Sequence, residues 1–182
     1  MQSSFPVEMT SQGLVKLLTL GIPTGSRVVG GFSEESDWDI VVSVNDSEKA
    51  KAIVAPYIYY ESPSNYFNGC KYGILSSKGA YHLNLLFVHP REFLAWFRAT
   101  RALRGEFRGD GIDLTKSGRV TIFETLMVQF RDKIPLMTIK EFTEHSSVAV
   151  KEAQSWAEYR LFQEQLLAAK PFDRAAKEEL PF

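Results

Sequence analysis

Cysteine is almost absent from this chain. Cys70 stands alone among 182 residues, so no intrachain disulfide can form and the fold must rest on its packed core. Histidine is scarce as well. His82, His89, His145 and Cys70 show no zinc-ligand spacing, which argues against a structural zinc site. Neither sign of charge dominates: 21 Lys and Arg against 22 Asp and Glu leave a net charge of -1. That excludes a global basic field, so a nucleic-acid contact would have to come from a local patch. No apolar run approaches the roughly 20 residues of a membrane span, and no membrane contact is expected. The opening MQSSFPVEMT has neither a charged n-region nor an apolar h-region, so the expectation is a cytoplasmic protein without a signal peptide. G-x-G-x-x-G, G-x-x-x-x-G-K-[ST] and G-x-S-x-G are all missing, which removes the Rossmann, P-loop and hydrolase-elbow readings.

What remains is an ordinary globular composition, 45% hydrophobic, in segments of changing period. Leu14, Leu17 and Leu18 form a helical stripe after a cap at Thr10 or Ser11, ended by Gly21 and Pro23. "RVVGGF" and "DWDIVVSV" read as strands around the turn "SEES", which predicts a hairpin. "DSEKAKAIVAPY" predicts a helix, "YIYY", "CKYGILSS" and "AYHLNLLFV" predict strands, and "SPSNYFNG" a loop. Pro90 suits the first turn of a helix over "PREFLAWFRATRALRG". After the connector "EFRGDGIDLTKSG", Val120, Phe123, Met127 and Phe130 share a helical face. Thr138 and Glu141 have capping-box spacing and open a last helical region, with a break expected near Ser146 and Ser147. The fold class is therefore α/β or α+β: a small mixed sheet with flanking helices and a helical C-terminal part. The expected division is 1–135 for the sheet domain and 136–182 for a helical extension.

The residues with the most chemistry are Asp37 and Asp39. On a strand they share one face, with Trp38 and Ile40 on the other. Two such carboxylates repel unless solvated or given a cation. Mg²⁺ takes hard oxygen ligands and is typically held by one or two carboxylates plus substrate phosphates. Glycine before the pair would let backbone approach a triphosphate. An acidic surface turn, with Ser36 or Asp37 bonded to nearby backbone, explains the same residues without chemistry.

The stretch "VVGGFSEESDWDIVV" resembles the active-site hairpin of the DNA polymerase β-like nucleotidyltransferase superfamily, in which a strand, a Gly-Gly or Gly-Ser turn and Asp-x-Asp follow one another. "HLNLLFV", "REFLAWFRATRAL" and "RVTIFETLM" also look like nucleotidyltransferase-like proteins of tailed bacteriophages. The resemblance implies a nucleotidyltransferase-type sheet and Mg²⁺- or Mn²⁺-dependent transfer of a nucleoside monophosphate from an NTP to an acceptor hydroxyl on RNA, protein or a small molecule. Asp37 and Asp39 would be the metal ligands, and Gly30, Gly31, Ser33 and Ser36 the nucleotide-binding residues. Two registers compete. Gly25-Ser26 lies twelve and eleven residues before Asp37, the spacing common in the family, whereas Gly30-Gly31 lies seven and six before it. "LGIPT" is poor strand material and "SRVV" is good, which favours Gly30-Gly31 as the phosphate-facing turn.

Active members of the superfamily carry a third carboxylate on a later strand. Here the matching position holds Asn84, which carries no charge and cannot act as a base. His82 shares its strand face and is a candidate base. The alternative is a catalytically degenerate relative that binds a nucleotide or a host partner as a phage effector in the host cytoplasm. Arg91, Arg98, Arg101 and Arg104 are candidate phosphate contacts, as are Lys71 and Arg108; Phe93, Trp96 and Phe97 read as core.

Overall fold

The structure is a computed structural model that describes residues 13–33, 36–56, 59–63, 70–75, 81–106 and 115–168; side chains are not described at 59–63, 70–72, 74–75, 81–82, 106 and 160–168. The expected cap at Thr10 or Ser11, most of the loop 62–69, the connector 107–114 and the last residues lie outside the described residues.

Helix α1 (Leu14–Leu17) leads into strand β1 (Gly21–Thr24), helix α2 (Ser26–Val29) and strand β2 (Trp38–Ser43). A 3-10 turn at Val44–Asp46 precedes α3 (Ser47–Val54). Strands β3 (Tyr59–Pro63), β4 (Cys70–Leu75) and β5 (Tyr81–Val88) follow, then helices α4 (Pro90–Glu106), α5 (Lys116–Lys133) and α6 (Ile139–Ala168). One five-stranded sheet has the order β1-β2-β5-β4-β3. Its central pair, β2 and β5, is parallel, and the other neighbours are antiparallel. The expected mixed sheet with flanking helices and a helical C-terminal half is the observed architecture. Among the described residues no helix is long and apolar enough to cross a membrane.

The predicted hairpin is the main correction. "SRVV" is the short helix α2, not a strand, and "GIPT" is strand β1. Pro23 is tolerated because β1 is the edge of the sheet, where a missing N–H need not break a ladder on both sides. Gly21 is needed for close approach: a Cβ there would lie 2.7 Å from both Ile40 Cγ2 and the Val41 carbonyl oxygen. β-branched propensity in "SRVV" is overridden by packing, with Val28 buried in the core. Thus β1 and β2 are antiparallel, but a helix and a loop separate them.

Ile40, Val41 and Val42 are fully buried, so both faces of β2 are covered. Helix α4 supplies Phe93, Leu94, Trp96 and Phe97 to the core, as the sequence suggests. Phe97 stacks on Trp156 of α6, with centroids 5.5 Å apart and rings 7° from parallel. Phe93 meets Phe142 edge to face at 5.9 Å. Residues on both sides of the expected boundary at 135 therefore share one hydrophobic cluster.

Helix α6 runs unbroken through Ser146 and Ser147, contrary to the expected break. Both hydroxyls donate to the Thr143 carbonyl, at 3.2 and 2.8 Å, so they are satisfied along the helix itself. Its capping box forms as predicted: the Glu141 carboxylate accepts from the Thr138 backbone N–H at 2.7 Å, and Thr138 Oγ1 accepts from the Glu141 N–H at 3.2 Å. These bonds to Thr138 hold the Glu141 carboxyl below its ordinary value of 4.5. A lowered folded-state value stabilises the fold above that pH and loses its contribution as pH falls through the folded value. Urea unfolding of wild type and Glu141→Gln should therefore differ most above pH 4.5 and converge in more acidic solution.

Candidate functional site

The alternation in β2 puts Asp39 on the face opposite Trp38 and Ile40, and the parallel register sets Asp39 directly beside Asn84 of β5. Asp37 precedes the strand by one residue. The Asn84 Nδ2 group donates to Asp39 Oδ1 at 2.9 Å and to Asp37 Oδ2 at 3.2 Å. The three residues named as the core of the site therefore meet around one amide nitrogen. Asn84 is only 4% exposed, and among the described residues its Oδ1 has no hydrogen-bond partner.

Across the sheet edge, Thr24 of β1 pairs with Asp39, so the next residue, Gly25, lies against the Asp39 carboxylate. Gly25 has φ +73°, and a Cβ on it would run into Asp39 Oδ2. Thr24 is fixed from behind: its Oγ1 pairs with Thr100 Oγ1 at 2.8 Å and accepts from Trp96 Nε1 at 3.2 Å. Arg27 of α2 then ties down the loop that leads to Asp37. Its Nε and Nη2 donate to the Ser36 carbonyl at 3.0 and 2.8 Å, and its guanidinium lies 5.1 Å from the Phe32 ring and 5.8 Å from that of Trp38. Within the loop, Ser36 Oγ accepts from the Ser33 N–H at 2.9 Å.

Beside these residues opens a cleft of about 550 Å³, within the range of small-ligand sites. Asp37, Asp39, Gly25, Ser26, Gly31, Ser33 and Ser36 border its polar side. Of the nucleotide-facing candidates, Gly30 alone is not on the lining; its added Cβ would meet nothing within 4 Å. The preference for Gly30-Gly31 rested on "SRVV" being a strand, and with that segment helical the strand argument transfers to Gly25-Ser26, which directly follows β1.

Lys116 and Arg119, one turn apart at the start of α5, face the same cleft. The Arg119 guanidinium packs on Gly31, where a Cβ would come within 2.8 Å of its Cζ. Sequence reasoning missed both. The available signal was a lysine and an arginine at i, i+3 just inside a helix capped by Thr115, whose Oγ1 accepts from the Gly118 N–H at 3.2 Å. The arginines that were singled out lie elsewhere. Arg101 approaches Glu152 at 3.5 Å, Arg104 covers Trp156 at 5.1 Å, and Arg91 donates to the Arg131 and Ile134 carbonyls at 3.0 and 3.1 Å. They fasten α4 to α5 and α6. The side chains of His82 and Lys71, and all of Arg108, lie outside the described residues.

Among the described residues no group of three or more His, Cys, Asp or Glu side chains is placed to hold a metal ion. The Asp37–Asp39–Asn84 set fits one hard cation all the same. It offers two carboxylates that converge on the Asn84 amide nitrogen, hard oxygen ligands of the kind Mg²⁺ takes, and at the other end of that amide a buried oxygen with no hydrogen-bond partner among the described residues.

No family model, curated protein or solved structure matches this chain.

Proposed function

We propose that this chain binds a divalent cation and a nucleoside triphosphate in the cleft and transfers the nucleoside monophosphate to an acceptor hydroxyl. The observation that carries the reading is the convergence of Asp37, Asp39 and Asn84 beside the glycine turn at Gly25. Asp37 and Asp39 would hold Mg²⁺ or Mn²⁺, which when bound would offset the charge of the triphosphate. Gly25 and Ser26 bring backbone close to the carboxylates without a side chain in the way. Lys116 and Arg119 put positive charge on the cleft lining, suited to the phosphates that depart as pyrophosphate. Val29, Leu86, Leu103, Val120 and Phe123 give the cleft an apolar side against which a base can pack. RNA ends, protein side chains and small molecules are the acceptor classes to test.

A second reading is favoured by one specific contact. Asn84 satisfies both carboxylates by donation, where a third carboxylate would serve as ligand and base. On that reading the cleft binds a nucleotide and catalyses nothing.

One assay separates the two. Wild type and Asp37→Ala/Asp39→Ala are incubated with each labelled NTP, Mg²⁺ or Mn²⁺, and RNA and protein acceptors. Label transferred by wild type and lost by at least about 100-fold in the double variant supports the transferase. Calorimetric NTP binding without transfer supports the binding protein. If wild type neither transfers label nor binds NTP, both readings fail.

A further inference from the structure

We propose that Asn84 restricts the carboxylate pair to a single divalent cation and admits that cation by turning its own amide over. The inference rests on the reading that Asp37 and Asp39 hold a cation, and it concerns how this chain's own residues respond.

A carboxamide presents two N–H donors at one end and an oxygen acceptor at the other. Here Nδ2 is spent on both carboxylates, at 2.9 and 3.2 Å. The oxygen is left in a 4%-exposed position and, among the described residues, accepts nothing. A buried acceptor without a donor is unfavourable, and native structures seldom keep one without a role. Rotation about Cβ–Cγ exchanges the two ends within the same volume. In one setting the amide N–H groups bridge two anions and hold them together without an ion. In the other, Oδ1 faces the carboxylates and supplies a third neutral oxygen ligand. The first setting turns donors toward a point where a cation would sit, so cation binding favours the second. The otherwise unused oxygen then gains its role.

Charge fixes the stoichiometry. Asp37 and Asp39 carry two negative charges, which one divalent ion cancels. An amide adds none, and holding two ions close together needs further anionic ligands. Lys116 and Arg119, which line the same cleft, oppose a second ion as well.

The test needs no nucleotide and no turnover. Mn²⁺ uptake is followed by the electron spin resonance of the free ion in wild type, Asn84→Leu and Asn84→Asp. The side-chain amide resonances of ¹⁵N-labelled wild type are recorded with and without Mg²⁺, with Asn45 as an internal reference. The expected results are one tightly held Mn²⁺ per wild-type chain, a shift of the Asn84 amide pair on adding Mg²⁺, and affinity weakened by about 10-fold or more in Asn84→Leu. Asn84→Asp should hold Mn²⁺ more tightly than wild type. The wild-type spectra keep the test valid if a variant fails to fold. Two tight ions per wild-type chain overturn the inference, as does one ion with the Asn84 amide unmoved; either result leaves the cation site standing. Absence of Mn²⁺ uptake by wild type overturns the inference and the proposed function together.

Discussion

Gly25→Ala should remove the proposed nucleotide binding and transfer while leaving a folded protein. The backbone at Gly25 has φ +73° and ψ −165°, a region essentially confined to glycine that costs a residue with a Cβ about 1–3 kcal/mol. The added methyl would also displace Asp39, whose Cγ lies 3.2 Å from its position. The obstructing atoms are the end of a side chain, so Asp39 rotates away and the sheet need not open. Rotation breaks the 2.9 Å bond to Asn84 and takes one carboxylate out of the convergent set. A displacement of about 1 Å at a reacting centre is enough for about 100-fold loss. Gly30→Ala is the matched control. Its φ is +126°, also unfavourable for alanine, but its Cβ would enter open space. Both variants should lower the unfolding free energy in urea, and only Gly25→Ala should abolish calorimetric NTP binding. The reverse pattern, with binding lost in Gly30→Ala and kept in Gly25→Ala, would restore the Gly30-Gly31 register.

That register was the point at which sequence reasoning and structure separated, and the reason is physical. A proline in a candidate strand counts against it unless the strand is an edge, and edge position is a property of the whole sheet. β1 is such an edge, and Gly21 lets it approach β2 closely. "SRVV" has strong strand propensity, yet it sits between two positive-φ glycines, Gly25 and Gly30, and folds as a single helical turn. By contrast, period-2 alternation in "DWDIVV" was enough to set Asp37 and Asp39 on one face, the family resemblance pointed to Asn84 as their neighbour, and the parallel register sets Asp39 beside Asn84. The basic wall was hidden because Lys116 and Arg119 reach the cleft from a helix far along the chain. Of the more conspicuous arginines of α4, Arg101 and Arg104 face α6 instead, where long side chains cover apolar surface as well as meet acids.

Trp156→Ala should destabilise the whole protein, not only its last helix. Trp156 is 5% exposed, stacked on Phe97 of α4 and covered by the Arg104 guanidinium 5.1 Å from its ring. Truncating a buried tryptophan leaves a cavity and typically costs about 3–5 kcal/mol. That is a large share of the roughly 5–15 kcal/mol available to a domain. The loss reaches the sheet because α6 is bound in at several points. Phe142 contacts Phe93 at 5.9 Å, and Gln154 Nε2 donates to the Leu18 carbonyl at 3.2 Å. The hydroxyl pair Thr24–Thr100, which backs the Gly25 turn, engages α4, the helix on which Trp156 packs. Far-UV circular dichroism and tryptophan fluorescence of the variant should therefore report one coincident transition at a lower urea midpoint, with NTP binding weakened in step. Two separated transitions, the earlier confined to residues after 135 and the later at the wild-type midpoint, would establish α6 as an independent extension. A single shifted transition makes the C-terminal helix part of the scaffold that holds Asp39 and Asn84 in register.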